Sequence, residues 1–271
     1  MYTQVSFYTP DGEIREILTA LLSDAGFEGF EETEDRLGAF ISTSDFDHDY
    51  VDSLAVRYDV PVDITQIVEQ NWNRSWESNF QPVIVEGFCT VRADFHKLEV
   101  KTPYEIVITP KMSFGTGHHA TTQLMMEQMR EIDFKAKKVF DFGTGTGILA
   151  ILAEMLGASD VLAIDNDKWA YENSVENVER NDCRNVQVKP GTIEDVPGED
   201  RFDIILANIN RHILLQYMQQ LSNLLAEGGH VAISGLLVED KEIIIAAANQ
   251  QGFKELKTTT LNNWIMIYLA K

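Results

Sequence analysis

The residues best suited to chemistry lie in one short run, Asp141-Phe142-Gly143-Thr144-Gly145-Thr146-Gly147, with a second carboxylate at Asp165. Glycine at Gly143 and Gly145 permits a sharp turn and lets a ligand approach the backbone with no Cβ in the way. The run sits where a strand pattern over residues 139–142 gives way to a helical pattern through 148–156, and Asp165 follows the next strand pattern, residues 161–164. An acid at the end of that second strand can accept both hydroxyls of a ribose.

Two cofactors suit a nucleoside site of this kind. A dinucleotide fingerprint wants Gly-x-Gly-x-x-Gly, so that a pyrophosphate meets the helix amino terminus. Here the glycines are Gly143, Gly145 and Gly147, and Ile148 follows. Asp141 would sit poorly beside a pyrophosphate, yet it suits a ligand carrying a cationic amine or a sulfonium. The pattern therefore favours S-adenosylmethionine over NAD. The alternative is an NAD-dependent oxidoreductase with an amino-terminal regulatory domain.

The elements that must carry these residues alternate. Strand patterns over 139–142, 161–164, 202–208 and 230–234 are each followed by a helical one, through 148–156, 169–181, 214–225 and 240–251, with a terminal strand at 264–269. Buried strands with crossover helices imply an α/β, doubly wound, mostly parallel sheet whose ligand lies at the carboxyl ends of the strands. Shorter strand patterns precede it at 90–93 and 105–108.

The first 70 residues read differently. Strand patterns at 2–8, 27–32, 37–42 and 62–68 bracket helical ones that open at Pro10-Asp11 and at Asp47, which gives β-α-β-β-α-β, the split arrangement of a small α+β ferredoxin-like domain. Trp72, Trp76 and Phe80 recur every fourth residue and would share one helical face. The expected organisation is a first domain over 1–70, an aromatic connector over 71–85 whose residues 71–82 would act as a hinge, and a larger domain over 86–271.

Charge narrows the class. The 271 residues carry 22 basic and 43 acidic side chains, a net charge of −21, which repels a phosphate backbone and argues against direct nucleic-acid binding. Residues 1–60 alone hold 14 acids and 3 bases, a net of −11, suited to solubility or to docking a basic partner. No apolar run approaches the roughly 18–20 residues of a membrane span, and the amino terminus has no signal-peptide pattern, so a cytoplasmic monomer is expected. Cys89 and Cys183 are too few for a disulfide framework or a thiolate metal cage. His118 and His119 are adjacent, so their side chains should diverge, and no metal site is expected.

Taken together, Asn71-Trp72-Asn73-Arg74-Ser75-Trp76, Phe114-Gly115-Thr116-Gly117-His118-His119-Ala120-Thr121-Thr122, the Asp141–Gly147 run, Asp165 and Ala207-Asn208-Ile209 resemble the ribosomal protein L11 methyltransferase family, over essentially the whole chain. That resemblance implies a class I fold, S-adenosylmethionine as cofactor, and N-methylation of lysine and α-amino groups of a basic large-subunit ribosomal protein recognised through the first domain. It also implies cofactor contacts from Phe114, Thr121, Thr122, Asp141, Gly143, Gly145, Asp165 and Asn208, with Asn208 at the transferable methyl as the catalytic residue. Phe114 and Trp264 are the aromatics available to face a sulfonium, although Trp264 on an apolar strand is also a natural core residue.

Overall fold

In the computed structural model, which describes residues 2–27, 29–33, 35–67, 80–97, 102–111 and 113–271, the chain divides into two units, Met1–Ser75 and Trp76–Lys271. The first contains β1 (Tyr2–Tyr8), α1 (Gly12–Asp24), β2 (Gly29–Glu32), β3 (Arg36–Ser42), α2 (His48–Tyr58) and β4 (Val62–Ile67). Its sheet has the order β2-β3-β1-β4, with β1 antiparallel to both neighbours. Each helix begins where an aspartate satisfies free amides: Asp11 accepts from Glu13 and Ile14, and Asp47 from Tyr50. Val5, Phe7, Leu18, Leu22, Leu37, Val51 and Leu54 make its core.

Val68, Trp72 and Trp76 lie outside the described residues. Phe80, Val83 and Val85, expected in the connector, are buried in the core of the second unit.

That unit opens with a small sheet of β5 (Val83–Val85), β6 (Cys89–Ala93) and β7 (Tyr104–Ile108). Helix α3 (Ala120–Met129) follows, and then β8 (Lys138–Phe142), α4 (Ile148–Met155), β9 (Asp160–Asp165), α5 (Lys168–Arg180), β10 (Val186–Pro190), β11 (Phe202–Asn208), α6 (Arg211–Leu224), β12 (Leu225–Leu237), α7 (Lys241–Gln250), β13 (Lys254–Leu261) and β14 (Trp264–Ala270). The seven-stranded sheet runs β10-β9-β8-β11-β12-β14-β13, parallel from β10 to β12 and antiparallel at β14 and β13.

The strand residues explain why helices cover both faces. Val139, Val161, Ala163, Ile204 and Leu206 enter one apolar cluster with Leu124, Met126 and Met129 of α3 and Leu149 and Leu152 of α4. Their sequence neighbours Phe140, Leu162, Ile164, Ile205 and Ala207 enter the other, with Leu214, Met218 and Leu221 of α6 and Ile244 of α7. Because side chains alternate across a strand, continuous apolar runs of this kind are stable only between two helical layers. Burying one large side chain of this sort contributes roughly 1.5–3 kcal/mol.

Strand order reverses at β8, with β9 and β10 to one side and β11 and β12 to the other. Crevices form at the carboxyl ends of strands at such a switch point. Helix α5 also reaches β7 through Asn173, Asn177 and Asn181, successive turns of one helical face. Asn181 Oδ1 accepts the Val107 N–H at 2.9 Å and its Nδ2 donates to the Val107 carbonyl at 2.7 Å. Asn177 Oδ1 accepts the Thr109 N–H at 2.8 Å, and Asn173 Nδ2 donates to the Thr109 carbonyl at 3.2 Å.

Candidate active site

The carboxyl ends of β8, β9 and β11 bring together Asp141, Asp165 and Asn208, residues spread over 68 positions of sequence. Between β8 and α4 the chain turns through Gly143, Gly145 and Gly147, at φ values of 75°, 57° and 82° that side-chain-bearing residues rarely adopt. The expected reason for these glycines was a ligand approaching the backbone; the immediate reason is that other parts of the chain do. A Cβ on Gly143 would overlap Ile209 Cγ2, just past β11, and one on Gly145 would overlap the Phe114 carbonyl oxygen. The Gly143 and Thr144 amides both donate to the Ile164 carbonyl, at 2.9 and 3.0 Å, which turns the loop toward β9.

Phe114 belongs to this junction by its backbone. Its carbonyl accepts the Thr146 N–H at 3.0 Å, while Thr146 Oγ1 donates to the Gly115 carbonyl at 2.6 Å. Asn177 Nδ2 donates to the Thr146 carbonyl at 2.8 Å, so α5 holds the glycine turn from behind. The Phe114 ring is 55% exposed.

The two acids differ in environment. Asp165 accepts the Gly145 N–H on Oδ2 at 2.9 Å and the Asp167 N–H on Oδ1 at 3.0 Å. Each of its oxygens keeps a lone pair for a further donor. Asp141 is only 1% exposed; its Oδ2 accepts the Thr144 hydroxyl at 2.5 Å and its Oδ1 is buried without a partner. Burial pushes its carboxyl up to about 7, opposed by the Thr144 bond and the nearby Ala150 amide, while the charge of Asp165 adds to the rise.

Asn208 ends β11, opposite Ser234 of β12. Its Nδ2 donates to Thr122 Oγ1 at 3.3 Å, and its Oδ1 is buried with no partner. Thr121 is fully buried, and its hydroxyl lies 2.8 Å from His119 Nδ1 rather than facing the acids. The paired histidines do diverge. The His118 ring meets Phe80 edge-on at 4.8 Å, while His119 lies 4.6 Å from Trp264 and 5.3 Å from Phe114. Trp264 and Phe114 are thus linked through an imidazole.

An oxygen that is buried and unsatisfied is costly unless a ligand supplies the donor. Asp141 Oδ1 calls for a cation or strong donor, Asp165 retains capacity for a diol, and Asn208 Oδ1 calls for an N–H. These demands fit a nucleoside cofactor bearing an ammonium group together with an amine substrate. Among the described residues no three His, Cys, Asp or Glu side chains are grouped so as to hold a metal ion. Cys89 and Cys183 are free thiols that burial pushes up to about 12, which leaves neither a nucleophile near neutral pH.

Some functional residues were not legible as such in the sequence. Thr144 and Asn177 are both buried, and each serves the glycine turn. Three-residue spacing from Asp141 was the available signal for Thr144; for Asn177 it was the repeat of asparagine every fourth residue. His48 and His96 have no evident partner in sequence, yet His48 Nδ1 lies 3.1 Å from Asp52 and His96 Nδ1 accepts the Ala93 N–H.

Residues 24–271 match the family model described as Ribosomal protein L11 methyltransferase (PrmA). The chain is 37% identical over 274 residues to the ribosomal protein L11 methyltransferase of Phocaeicola vulgatus, covering 98% of each chain. It is 41% identical over 255 residues to that of Porphyromonas gingivalis, covering 92% of this chain and 88% of the relative. The crystal structure of the ribosomal protein L11 methylase of Lactobacillus delbrueckii subsp. bulgaricus superposes with a TM-score of 0.65 at 29% identity, over 71% of this chain and 98% of that one.

Proposed function

The chain belongs to the ribosomal protein L11 methyltransferase family, and from that membership and the site above we infer that it transfers methyl groups from S-adenosylmethionine to amino nitrogens of ribosomal protein L11. The observation that carries this reading is the buried, unpartnered Asn208 Oδ1 at the mouth of the β8–β11 switch point. The oxidoreductase alternative falls with the family membership and with the lone carboxylate oxygen of Asp141, which has no use for a pyrophosphate.

When bound, S-adenosylmethionine supplies a methyl group on a positively charged sulfur, open to displacement by an uncharged amine. Asp141 would hold its ammonium group, and Asp165 its ribose hydroxyls. Phe114, Thr121 and Thr122 form the opposing wall, Thr121 through its place in the first turn of α3. Gly143 and Gly145 contribute by lacking side chains, since their amides are engaged with Ile164 and Asp165.

The substrate nitrogen must first be neutral. For a lysine of pKa near 10.4 that costs about 4.6 kcal/mol at pH 7. Asn208 Oδ1 accepts an N–H of the neutral amine and turns its lone pair toward the methyl. Its Nδ2, tied to Thr122, keeps the carbonyl pointing one way. Alignment in a site closed to water supplies the rest of the rate. No step needs a covalent intermediate on the protein.

The element order and the sheet order β2-β3-β1-β4 of the first unit support reading residues 1–70 as a ferredoxin-like domain that recognises the substrate. Its acidity suits a basic ribosomal protein, and the connector expected over 71–85 gives way by Phe80 to the core of the catalytic domain. Lysine and α-amino nitrogens are the acceptors, and the protein acts as a cytoplasmic monomer with no direct contact to nucleic acid. No helix among the described residues is long and apolar enough to cross a membrane.

Incubation with isotopically labelled S-adenosylmethionine and a mixture of purified ribosomal proteins tests the reading. L11 should gain label at amines mapped by mass spectrometry. Label confined to other proteins, or to RNA, would overturn it.

A further inference from the structure

His119 occupies the amino-terminal cap of α3, a position that Ser, Thr, Asp or Asn usually fills. Its Nδ1 accepts the Thr121 backbone N–H at 3.3 Å, so the ring proton sits on Nε2 and the Thr121 hydroxyl, 2.8 Å away, donates to the same nitrogen. Its carbonyl accepts the Thr122 N–H at 3.0 Å and the Gln123 N–H at 3.2 Å. The ring cannot turn freely, because Trp264 meets it edge-on at 4.6 Å and Phe114 lies tilted against it at 5.3 Å.

The chain of contacts leads to Thr122, three residues past this cap. Thr122 is fully buried, and its Oγ1 accepts the only hydrogen bond that Asn208 Nδ2 makes among the described residues. An amide held by its nitrogen has its oxygen aimed by default, and that oxygen is the unpartnered one. Any rotation of the first turn of α3 would move Thr122 Oγ1 and with it the direction of the Asn208 carbonyl.

We propose that His119 is a positioning residue for methyl transfer: its Nδ1 caps α3, and the cap fixes Thr122 so that the Asn208 carbonyl is presented to the substrate amine. The inference rests on the role of Asn208 given above. The acceptor nitrogen transmits the effect, and the flanking aromatic rings keep that nitrogen in register. Among the described residues His119 makes no hydrogen bond to Asp141 or Asp165.

Three substitutions separate the acceptor from the ring. His119→Asn keeps a capping acceptor without the ring, His119→Phe keeps the ring without the acceptor, and His119→Ala removes both. Misplacement of a reacting group by about 1 Å can cost on the order of a hundredfold, so kcat should fall roughly tenfold to a hundredfold in the Ala and Phe variants and recover in the Asn variant. The KM for cofactor should change less than kcat in all three, because Asp141 and Asp165 are untouched and only the Thr121–Thr122 wall moves with the cap.

A second readout needs neither cofactor nor turnover. In protein labelled with ¹⁵N at asparagine, the Asn208 side-chain amide signal (assigned by its loss in Asn208→Asp) should shift in His119→Phe and keep its wild-type position in His119→Asn. Wild-type kcat in His119→Phe, an Asn variant as impaired as Ala, or an Asn208 signal unmoved in His119→Phe would each overturn the proposal. A wild-type enzyme that leaves L11 unlabelled would instead overturn the reaction itself, and the cofactor-free amide signal would still report on the positioning contact. The Phe and Asn variants carry the test should the alanine variant fail to fold.

Discussion

The Thr144 hydroxyl donates to Asp141 Oδ2 at 2.5 Å, and the other oxygen of the same carboxylate has no partner at hydrogen-bond geometry, the Ala150 amide nearby giving only weak support. One donor is too little for a charge buried so deeply, and the carboxyl is pushed up to about 7. A folded-state value above the ordinary one favours the folded protein at low pH, and that contribution is lost as pH climbs from about 3.8 through about 7. Asp141→Asn should therefore melt higher than wild type at pH 8, by a margin corresponding to at most ~4 kcal/mol, with the gap closing toward pH 4. Cofactor affinity should rise with pH up to about 7 and level off above it, because the ammonium group needs the ionised acid. Calorimetric titration from pH 5 to 9 measures both the slope and the released proton.

Asn208→Ala removes the acceptor while leaving both acids in place. Turnover on L11 should drop by about 10²–10³, the usual cost of deleting one preorganised polar contact. The dissociation constant for S-adenosylmethionine should move far less. Single-turnover methylation beside equilibrium binding distinguishes the two, and intact turnover with weakened binding would remove Asn208 from the chemistry.

Two glycines with similar positive φ should respond differently to alanine. Gly26, at φ 90°, has nothing within 4 Å of an added Cβ, so Gly26→Ala should lose only the backbone contribution of roughly 1–2 kcal/mol. Gly143, at φ 75°, would drive its Cβ into Ile209, which adds an overpacking cost of about 1–3 kcal/mol. Urea denaturation of the two variants gives the comparison; equal losses would mean that Ile209 yields freely.

Asn177→Ala should leave the Thr109 N–H and the Thr146 carbonyl without partners, at about 1–3 kcal/mol for the buried Thr146 group and less for the half-buried Thr109 amide. Faster hydrogen exchange at the Thr109 amide, along with a lower denaturation midpoint, is the expected signature.

With 14 acids against 3 bases in residues 1–60, association with a basic ribosomal protein should be steered by charge. The association rate measured by stopped flow should fall at least about tenfold as salt rises from low to well above physiological, with a smaller change in dissociation. A flat response would leave the acidity as a solubility feature.

Much of this was legible in the sequence, for reasons that differ by element. Strands β8, β9 and β11 were visible because a strand covered on both faces must be apolar at every position, as residues 161–164 are. The site acids were visible because their chemistry depends on side-chain type at the ends of those strands. Strand β13 was not, because Lys254–Leu261 lies at the sheet margin with mostly exposed or half-exposed polar residues, and its pairing with β14 carries the strand. Helix α3 was hidden behind the Phe-Gly-Thr-Gly-His-His motif: its cap is a histidine, and it is buried at most positions, so no alternation of apolar and polar faces marks it. The close approaches of Ile209 to Gly143 and of Phe114 to Gly145 join positions far apart in sequence, and no local pattern encodes them.

The asparagines of α5 have a consequence beyond holding the glycine turn. Strand β7 is the last of its three-stranded sheet, and its open flank would otherwise present bare N–H and C=O groups to any passing chain. Side-chain amides from Asn173, Asn177 and Asn181 satisfy those groups at Val107 and Thr109, doing what a neighbouring strand would do without offering a further flank of their own. The β7 flank is thereby closed to edge-to-edge pairing, and loss of that cover would show as aggregation at high protein concentration.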